Sequence, residues 1–361
     1  MEGGHNYNHR LEKFWSTSVL FPALKALLDD TDAEPIKETS YGYGKIYFYL
    51  GFISYEPTLS VMLFNNTINN SIGKLYISRH TDGGIKLKDE KGRTAFNLDF
   101  FKSGGYGKLY TCKQAKEILC KTIRSGDIGK PDSINCILSE AIIHSILSCD
   151  ERRPRVCSKF FGVKFEPSVL QSTIVFTELM HGPVHRIPEL SLAVFKSVIT
   201  QMADALDYLQ GKYKFIHGDL KINNICYRKT CGKSYKFVMI DFGMSVMCYN
   251  NIEISSNMFI RRGYLDRLIF PNSGDLSLLS ASLYEFFTCA RDVISNLLIF
   301  PGEEESLISK YKISKNSTET YSICYGCHNP KTLPQTIIQL ITSPSMSSSS
   351  DELALTSSSS S

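Results

Sequence analysis

The residues with the clearest chemical potential lie at 217–224, His-Gly-Asp-Leu-Lys-Ile-Asn-Asn. In this stretch Asp219 comes two residues before Lys221 and five before Asn224, and the motif Asp241-Phe-Gly follows. Phosphoryl transfer to a hydroxyl needs a carboxylate to orient the hydroxyl, a cation near the moving group and oxygen ligands for magnesium. By itself the stretch fits a polar loop between a helix and a strand equally well. The chemistry therefore depends on what the rest of the chain supplies.

A glycine-rich segment lies upstream, between two predicted strands. Glycines let the backbone approach phosphate oxygens and present N–H donors without a side chain in the way. A simple hairpin turn has the same composition. The candidate phosphate-binding residues of this segment are Ser103, Gly104, Gly105, Tyr106, Gly107 and Leu109.

Lys121 follows the apolar residues Ile118-Leu-Cys and is predicted to lie on a central strand. A lysine among apolar neighbours needs a counter-charge. Glu140 can supply it, because it lies 19 residues later in a segment, 133–148, with helical periodicity. A lone carboxylate on or beside a buried helix face would be costly. The alternative is that both residues lie at the surface.

The predicted elements that must position these residues change type along the chain. A strand–turn–strand at 96–111 and several further strands come first, with the one helix at 133–148. A strong amphipathic helix at 190–209, the strand 237–240 and a mostly apolar helix at 275–289 follow. Strands with one helix and then mostly helices predict an α+β fold of two unequal lobes. Little helical pattern is recognisable after about residue 290.

In this combination and order, the motifs resemble those of the eukaryotic protein kinase superfamily over about residues 96–300. The resemblance implies a bilobal fold: a β-rich N-lobe with one helix, a helical C-lobe, and ATP between them. On this basis the N-lobe and hinge are predicted at 96–180 and the C-lobe at 181–342. They are preceded by an N-terminal extension at 1–95, partly β and of unknown role, and followed at 343–361 by a serine-rich tail that its composition predicts to be disordered.

The resemblance also implies nucleotide-binding roles for particular residues. Lys121 is similar to the lysine that binds the α- and β-phosphates, and Glu140 to its helix partner. Glu178 and Met180 resemble hinge residues whose backbone binds adenine, with Thr177 as the gatekeeper before them.

The catalytic roles implied by the resemblance fall on the octapeptide and on two aspartates that follow it. Asp219 is similar to the catalytic base, with Lys221 stabilising the transferring phosphoryl group. Asn224 and Asp241 resemble the ligands of Mg²⁺. Asp275 resembles the buried aspartate that braces the catalytic loop.

Several residues depart from the family pattern. Lys102 stands where the first loop glycine is expected, and Leu119 replaces the usual small residue over adenine. Gly218 replaces the arginine of His-Arg-Asp, which predicts constitutive rather than loop-switched activity. His144 occupies a helix position where an apolar residue usually packs, and no Ala-Pro-Glu follows Asp241. The departures resemble the casein kinase I and vaccinia-related branch and the kinases of large DNA viruses.

The predicted function is an ATP- and Mg²⁺-dependent serine/threonine protein kinase, since Lys221 is typical of serine/threonine rather than tyrosine acceptors. One alternative is a small-molecule kinase of the aminoglycoside or choline type, or an atypical kinase, which also carry His-Gly-Asp. A second alternative is a pseudokinase that serves as a scaffold, which the irregular glycine loop favours and the complete set of transfer residues disfavours.

Composition sets the remaining expectations. The net charge of +4 over 361 residues gives no clear nucleic-acid signal. Without a signal peptide or a membrane-spanning run, and with 11 scattered cysteines, the chain is expected to be intracellular, cytoplasmic or nuclear. The serine-rich tail is a candidate for autophosphorylation. The haem-attachment-like pattern Cys324-Tyr-Gly-Cys-His is interpreted as a chance match.

Overall fold

A computed structural model of the chain describes the structure over most of its second half and part of its first. The described residues are 76–79, 84–88, 91–103, 107–113, 115–123, 140–150 (without 142, 145 and 149), 155–164, 174–230, 234–249, 252–255, 271–311 and 318–342.

The chain forms two compact units of mixed helix and sheet. The first contains the described parts of 1–182, 226–228 and 238–263. The second contains the described parts of 183–225, 229–237 and 264–361.

The first unit is built on a seven-stranded antiparallel sheet in the order β1-β2-β3-β4-β5-β7-β6. Its strands show the two-residue alternation of a half-buried sheet; in β2, Ile85 and Leu87 are buried and the lysines between and after them are not. The strands are β1 Tyr76–Arg79, β2 Ile85–Lys88, β3 Thr94–Ser103, β4 Gly107–Cys112, β5 Ile118–Ile123, β6 Phe160–Lys164 and β7 Ile174–Glu178.

One apolar cluster covers a face of this sheet. Phe96, Leu98, Tyr110, Ile118 and Phe176 belong to it, and the ring centroids of Phe96 and Phe176 lie 6.1 Å apart. Burial of such side chains stabilises by about 1.5–3 kcal/mol each. The cluster fixes β5 in the middle of the sheet, and β5 carries Lys121.

Two sequence predictions fall on this sheet. The predicted strand–turn–strand around the glycine-rich segment is the antiparallel pair β3–β4, with Ser103 opposite Lys108. The boundary predicted between residues 95 and 96 falls inside β3, and β1 and β2 extend the same sheet on its N-terminal side. Part of the predicted extension 1–95 therefore belongs to the sheet.

The first unit also contains the helix that carries Glu140. The described residues of 140–148 are helical and form α1. Its Ala141 packs with Phe160 and Val175, which places α1 against the sheet.

The hairpin of β11 (Val246–Tyr249) and β12 (Ile252–Ser255) follows later in the chain, after a three-stranded sheet in the order β10-β9-β8. The strands of that sheet are β8 Gly182–Pro183, β9 Ile225–Lys229 and β10 Tyr235–Met239.

The longest helix, α2, runs over Leu192–Tyr213 in the second unit. It begins where the Ser191 hydroxyl accepts a hydrogen bond from the Val194 N–H at 3.3 Å, an N-cap that satisfies an otherwise unpaired donor. It ends at Lys214, whose φ of 49° is left-handed. The predicted helix at 190–209 is confirmed.

Helices continue to residue 342, so the expectation of little helix after residue 290 was wrong. The later helices are short, with Pro or Gly at several of their ends, and Thr318–Gly326 has no clear apolar stripe, so the sequence pattern does not reveal them. These helices are α3 Gly274–Leu283, α4 Arg291–Leu297, α5 Leu307–Tyr311, α6 Thr318–Gly326 and α7 Pro334–Thr342. In the second unit α6 packs against α3, and α7 packs against α2.

None of the helices in the described ranges combines the length and the apolar character that crossing a bilayer requires.

Candidate active site

The first group of candidate residues centres on Lys121 in the first unit. Its Nζ lies 2.9 Å from Oε1 of Glu140 on α1 and 2.9 Å from Oδ1 of Asp241, which follows β10. Glu140 and Asp241 follow Lys121 in the sequence by 19 and 120 residues, and both contact its ammonium group. Lys121 is held opposite Leu109 on β4 and Val175 on β7, so the sheet fixes its direction.

The charges of this group stabilise one another. Burial alone would lower the pKa of Lys121, but the carboxylates of Asp241 and Glu140 outweigh burial and raise that pKa above its ordinary value. Burial also raises the pKa of Glu140, and the Lys121 charge opposes this effect. Lys121 is therefore a permanent cation, suited to bind an anionic ligand such as a phosphate.

Asp241 and Phe242 have distinct local roles. Asp241 adopts a φ of 66°, a left-handed conformation that aspartate tolerates better than most residues. Phe242 is fully buried, and its ring centroid lies 4.9 Å from that of His144 on α1. The aromatic contact anchors the segment after β10 beside α1, which keeps Asp241 within reach of Lys121.

His144 fills the helix position where the sequence departs from the family pattern. It is buried, and its Nε2 lies 2.8 Å from the Ser158 carbonyl oxygen, to which it donates. Burial lowers the pKa of His144 to about 4. It therefore behaves as a neutral packing residue at ordinary pH.

The glycine-rich segment is described only in part. Ser103 ends β3 and is exposed, whereas Gly107 begins β4 and is buried. Leu109 lies on β4 directly opposite Lys121. The predicted residues Gly104, Gly105 and Tyr106 fall outside the described part of the chain.

The predicted hinge follows the last residue of β7. The Glu178 Oε1 accepts a short hydrogen bond from Arg228, and Oε2 accepts one from the Lys159 N–H at 3.1 Å. The Leu179 N–H donates to the Glu117 carbonyl at 2.6 Å. These contacts fix the backbone of the segment, in which Met180 is partly exposed.

The second group lies in the second unit and centres on Asp219. Asn224 donates through Nδ2 to the Asp219 carbonyl at 2.8 Å and to Oδ2 at 3.0 Å. Lys221 Nζ also lies 3.0 Å from Oδ2. Asp219, Lys221 and Asn224 therefore form one network, held by charge-assisted hydrogen bonds.

Asp275, on the first turn of α3, braces this loop. It is fully buried and accepts hydrogen bonds from the backbone N–H of His217 at 2.7 Å and of Gly218 at 3.0 Å. Gly218 has a φ of 77°, which glycine adopts without the strain of a side chain. The place of Asp275 at the loop agrees with the sequence expectation.

Sequence reasoning missed two tyrosines of α6. The Tyr321 hydroxyl donates to Asp219 Oδ1 and lies 3.2 Å from Lys221 Nζ. The Tyr325 hydroxyl donates to Asp275 Oδ1 at 2.5 Å. The four-residue spacing of the tyrosines was the available signal, since it places both on one helix face.

The contact of Tyr321 with Asp219 and Lys221 affects the pKa values of Tyr321 and Lys221. Burial and the adjacent Asp219 carboxylate raise the pKa of Tyr321 to about 12. Burial alone would lower the pKa of Lys221, but Asp219 and Tyr321 together raise it. The phenol therefore stays protonated, and the lysine stays charged.

The donor set was tested for Mg²⁺. Asn224 uses its amide nitrogen on Asp219, which leaves the amide oxygen as its metal ligand, and Asp241 has a second carboxylate oxygen besides the one on Lys121. Mg²⁺ in phosphate sites needs only one or two protein oxygens, with phosphates and water completing the shell. Each of the two residues, taken by itself, thus has an oxygen of the kind that Mg²⁺ binds.

No group of three or more His, Cys, Asp or Glu side chains with metal-binding geometry occurs within the described ranges. The pattern at Cys324–His328 lies at the end of α6, with Cys324 buried and Cys327 and His328 exposed.

Comparison with known proteins gives one weak similarity. No protein-family profile matches the chain. Over 158 residues the chain is 27% identical to the MAP kinase kinase mkk-4 of Caenorhabditis elegans. The match covers 40% of this chain and 42% of that protein, so the chain spans less than half the length of this relative. The similarity supports a protein-kinase-like relationship and a phosphotransferase class of activity.

Proposed function

We propose that the chain is an ATP- and Mg²⁺-dependent protein kinase that transfers the γ-phosphoryl group to serine or threonine hydroxyls. The observation that carries the proposal is the convergence of Glu140 and Asp241 on Lys121, each at 2.9 Å. Protein kinases require an ion pair between a strand lysine and a helix glutamate, and an aspartate that binds Mg²⁺ beside the phosphates. The similarity to a MAP kinase kinase supports the same class.

In this proposal the first unit supplies nucleotide binding. Lys121 binds the α- and β-phosphates and Glu140 holds it in place. The backbone at Glu178 and Met180 binds adenine, and the segment from Ser103 to Leu109 covers the phosphates. Of these residues, Lys121 and Leu109 lie opposite each other on strands of the sheet, which fixes their direction.

The second unit supplies the transfer step. Asp219 orients the acceptor hydroxyl and accepts its proton, and Lys221 stabilises the charge on the moving phosphoryl group. Asn224 and Asp241 would hold Mg²⁺, which neutralises phosphate charge when bound. The proposal also includes a bilobal kinase fold whose N-lobe begins near the boundary predicted between residues 95 and 96. It further includes protein substrates, among them the serine-rich tail at 343–361.

The test measures phosphate transfer from γ-labelled ATP with Mg²⁺ to a panel of acceptors: casein, the chain itself, and amino alcohols such as choline. We expect label in casein or in the chain, on serine or threonine after acid hydrolysis. Asp219→Asn is the matched control, because it preserves size and removes the carboxylate. Label in amino alcohols alone would favour a small-molecule kinase, and no transfer above the control would favour a scaffold.

A further inference from the structure

Both oxygens of the Asp219 carboxylate accept hydrogen bonds. Oδ2 accepts from Asn224 and from Lys221, both within the octapeptide. Oδ1 accepts from the Tyr321 hydroxyl, which comes from 102 residues further along the chain. The same phenol oxygen lies 3.2 Å from Lys221 Nζ and so bridges the carboxylate and the ammonium group. A carboxylate oxygen has two lone pairs, so Oδ1 keeps one acceptor position besides the phenol.

The helix that carries Tyr321 is firmly anchored. Tyr325, one turn later on α6, donates to the buried Asp275, which in turn holds the N–H groups of His217 and Gly218. A β-carbon added to Gly274, the first residue of α3, would lie 2.4 Å from the Tyr325 ring. The two helices are therefore in direct backbone-to-ring contact. Displacing α6 would leave the buried Asp275 carboxylate without its phenol donor, at a cost of several-fold to more than a hundredfold in the folding equilibrium.

The octapeptide needs outside support of this kind. Gly218 has a φ of 77° and no side chain with which to hold the loop. Asp219 and Lys221 form an ion pair at 3.0 Å through Oδ2, which Asn224 also binds, and neither of these partners holds Oδ1. A third contact, made to both members of the pair from a rigid helix, fixes the side-chain torsions of both.

We propose that Tyr321 is a positioning residue of the transfer reaction, which fixes the Asp219 carboxylate and the Lys221 ammonium in their working orientation from α6. The inference rests on the proposed function, which supplies the phosphoryl-transfer reaction. It adds Tyr321 of α6 to the residues that act in that reaction, and Tyr325 and Asp275 hold α6 in place. The acceptor hydroxyl then uses the remaining lone pair of Oδ1.

The competing interpretation is that Tyr321 imitates the acceptor hydroxyl and inhibits the enzyme. Two contacts favour positioning instead. The phenol contacts Lys221 as well as Asp219, and the anchored Tyr325 opposes the movement of α6 that release would need. The two interpretations predict opposite effects of removing the hydroxyl.

The decisive variant is Tyr321→Phe, which removes one oxygen and keeps the ring. We expect kcat to fall about tenfold, the effect of one hydrogen bond to a charged group. We expect the KM for ATP to stay unchanged, because in the proposed function the nucleotide is bound by residues of the first unit, whereas Tyr321 acts on Asp219 and Lys221 in the second. Tyr208→Phe is the matched control: its hydroxyl accepts from Lys212 on the exposed side of α2, and its loss should leave kcat unchanged. A Tyr321→Phe enzyme with kcat equal to or above that of the wild type would overturn the proposal.

A second measurement does not depend on activity. Labelling tyrosine at Cζ with ¹³C gives one resonance that disappears in Tyr321→Phe and thereby identifies Tyr321. Asp219→Asn should shift this resonance and lower the pKa of the phenol from about 12, because the carboxylate that opposes phenolate formation is gone. An unchanged resonance would overturn the contact. If the wild type fails to transfer phosphate above the Asp219→Asn control, the proposed function fails, and this titration still decides the contact.

Discussion

Lys121 shows how a single residue acquires a role from its surroundings. On a strand with buried neighbours, its ammonium group would be costly without a partner. The sheet directs it to two carboxylates from different elements, each 2.9 Å away. The net charge of the three groups is negative by one, so they would bind a divalent cation and phosphate together more readily than phosphate alone.

Replacing Lys121 by methionine tests its role. We expect Lys121→Met to abolish phosphate transfer, since Lys121 is the cation that Glu140 and Asp241 hold and that would bind the phosphates. The variant should remain folded, because methionine keeps the apolar stem between Leu109 and Val175. The measurements are labelled transfer and circular dichroism, with Lys113→Met on the neighbouring strand end as the control. Lys113 pairs with Asp99 at the surface and should be dispensable. Turnover at the wild-type rate in Lys121→Met would contradict the assigned role.

His144 predicts a pH dependence of stability. Its pKa is about 4 in the folded chain against an ordinary value of 6.5, so below pH 6.5 the unfolded chain takes up a proton that the folded chain does not. Stability is therefore fully present above pH 6.5 and falls as the pH drops towards 4, by about 3 kcal/mol in all. Urea unfolding at a series of pH values measures this, with His144→Leu as the comparison. In the variant, the free energy of unfolding should fall less steeply as the pH drops from 6.5 to 4. The same pH dependence of that free energy in the two proteins would show that His144 does not titrate in this way.

At the level of elements, the packing of α6 on α3 is the feature that connects the C-terminal helices to the octapeptide. Gly274 permits the close approach, because an added β-carbon would lie 2.4 Å from Tyr325 and 3.0 Å from the Asn272 side chain. Asn272 is itself held by Gln210 of α2 at 2.8 and 2.9 Å.

Two glycine-to-alanine changes separate packing from helix propensity. Alanine is favoured over glycine within helices by about 1 kcal/mol. At Gly211, in the last turn of α2, nothing lies within 4 Å of an added β-carbon, so Gly211→Ala should stabilise by about 0.5–1 kcal/mol. Gly274→Ala should instead destabilise by about 1–3 kcal/mol through overpacking. Denaturant unfolding measures both, and a stabilising Gly274→Ala would contradict the described contact.

The sequence predicts the elements whose pattern is local and the residues whose spacing is distinctive. The helix α2 is predictable from its apolar stripe, and β5 with Lys121 from an apolar run that ends in a charge. By contrast, α6 mixes threonine, glutamate, serine and cysteine without a clear apolar face. Its importance depends on Tyr321 reaching a partner 102 residues away, and no local pattern contains that information.

For the molecule as a whole, the candidate residues form two groups, one in each compact unit. Lys121 is the centre of the first group and Asp219 is the centre of the second, and each of them pairs with residues of its own unit. The similarity to a MAP kinase kinase covers 40% of the chain. More than half of the chain therefore lies outside this match.

Removal of residues 343–361 is a test at this scale. The segment is rich in serine and contains few apolar residues, so it has little surface with which to dock. We expect truncation to leave the melting temperature unchanged and to remove part of the autophosphorylation label. Mutating only the serines of the tail to alanine is the control, since it removes acceptors without shortening the chain. A melting temperature lower by several degrees would show that the tail is docked.

The central claim is that Asp219 catalyses transfer of a phosphoryl group from ATP. The most direct measurement is a single-turnover experiment with γ-labelled ATP, Mg²⁺ and excess enzyme, comparing the wild type with Asp219→Asn. The proposal predicts label on a protein hydroxyl in the wild type and a rate at least 100-fold lower in the variant, the usual contribution of a positioned base. Equal rates in the two proteins, or no label in either, would contradict it.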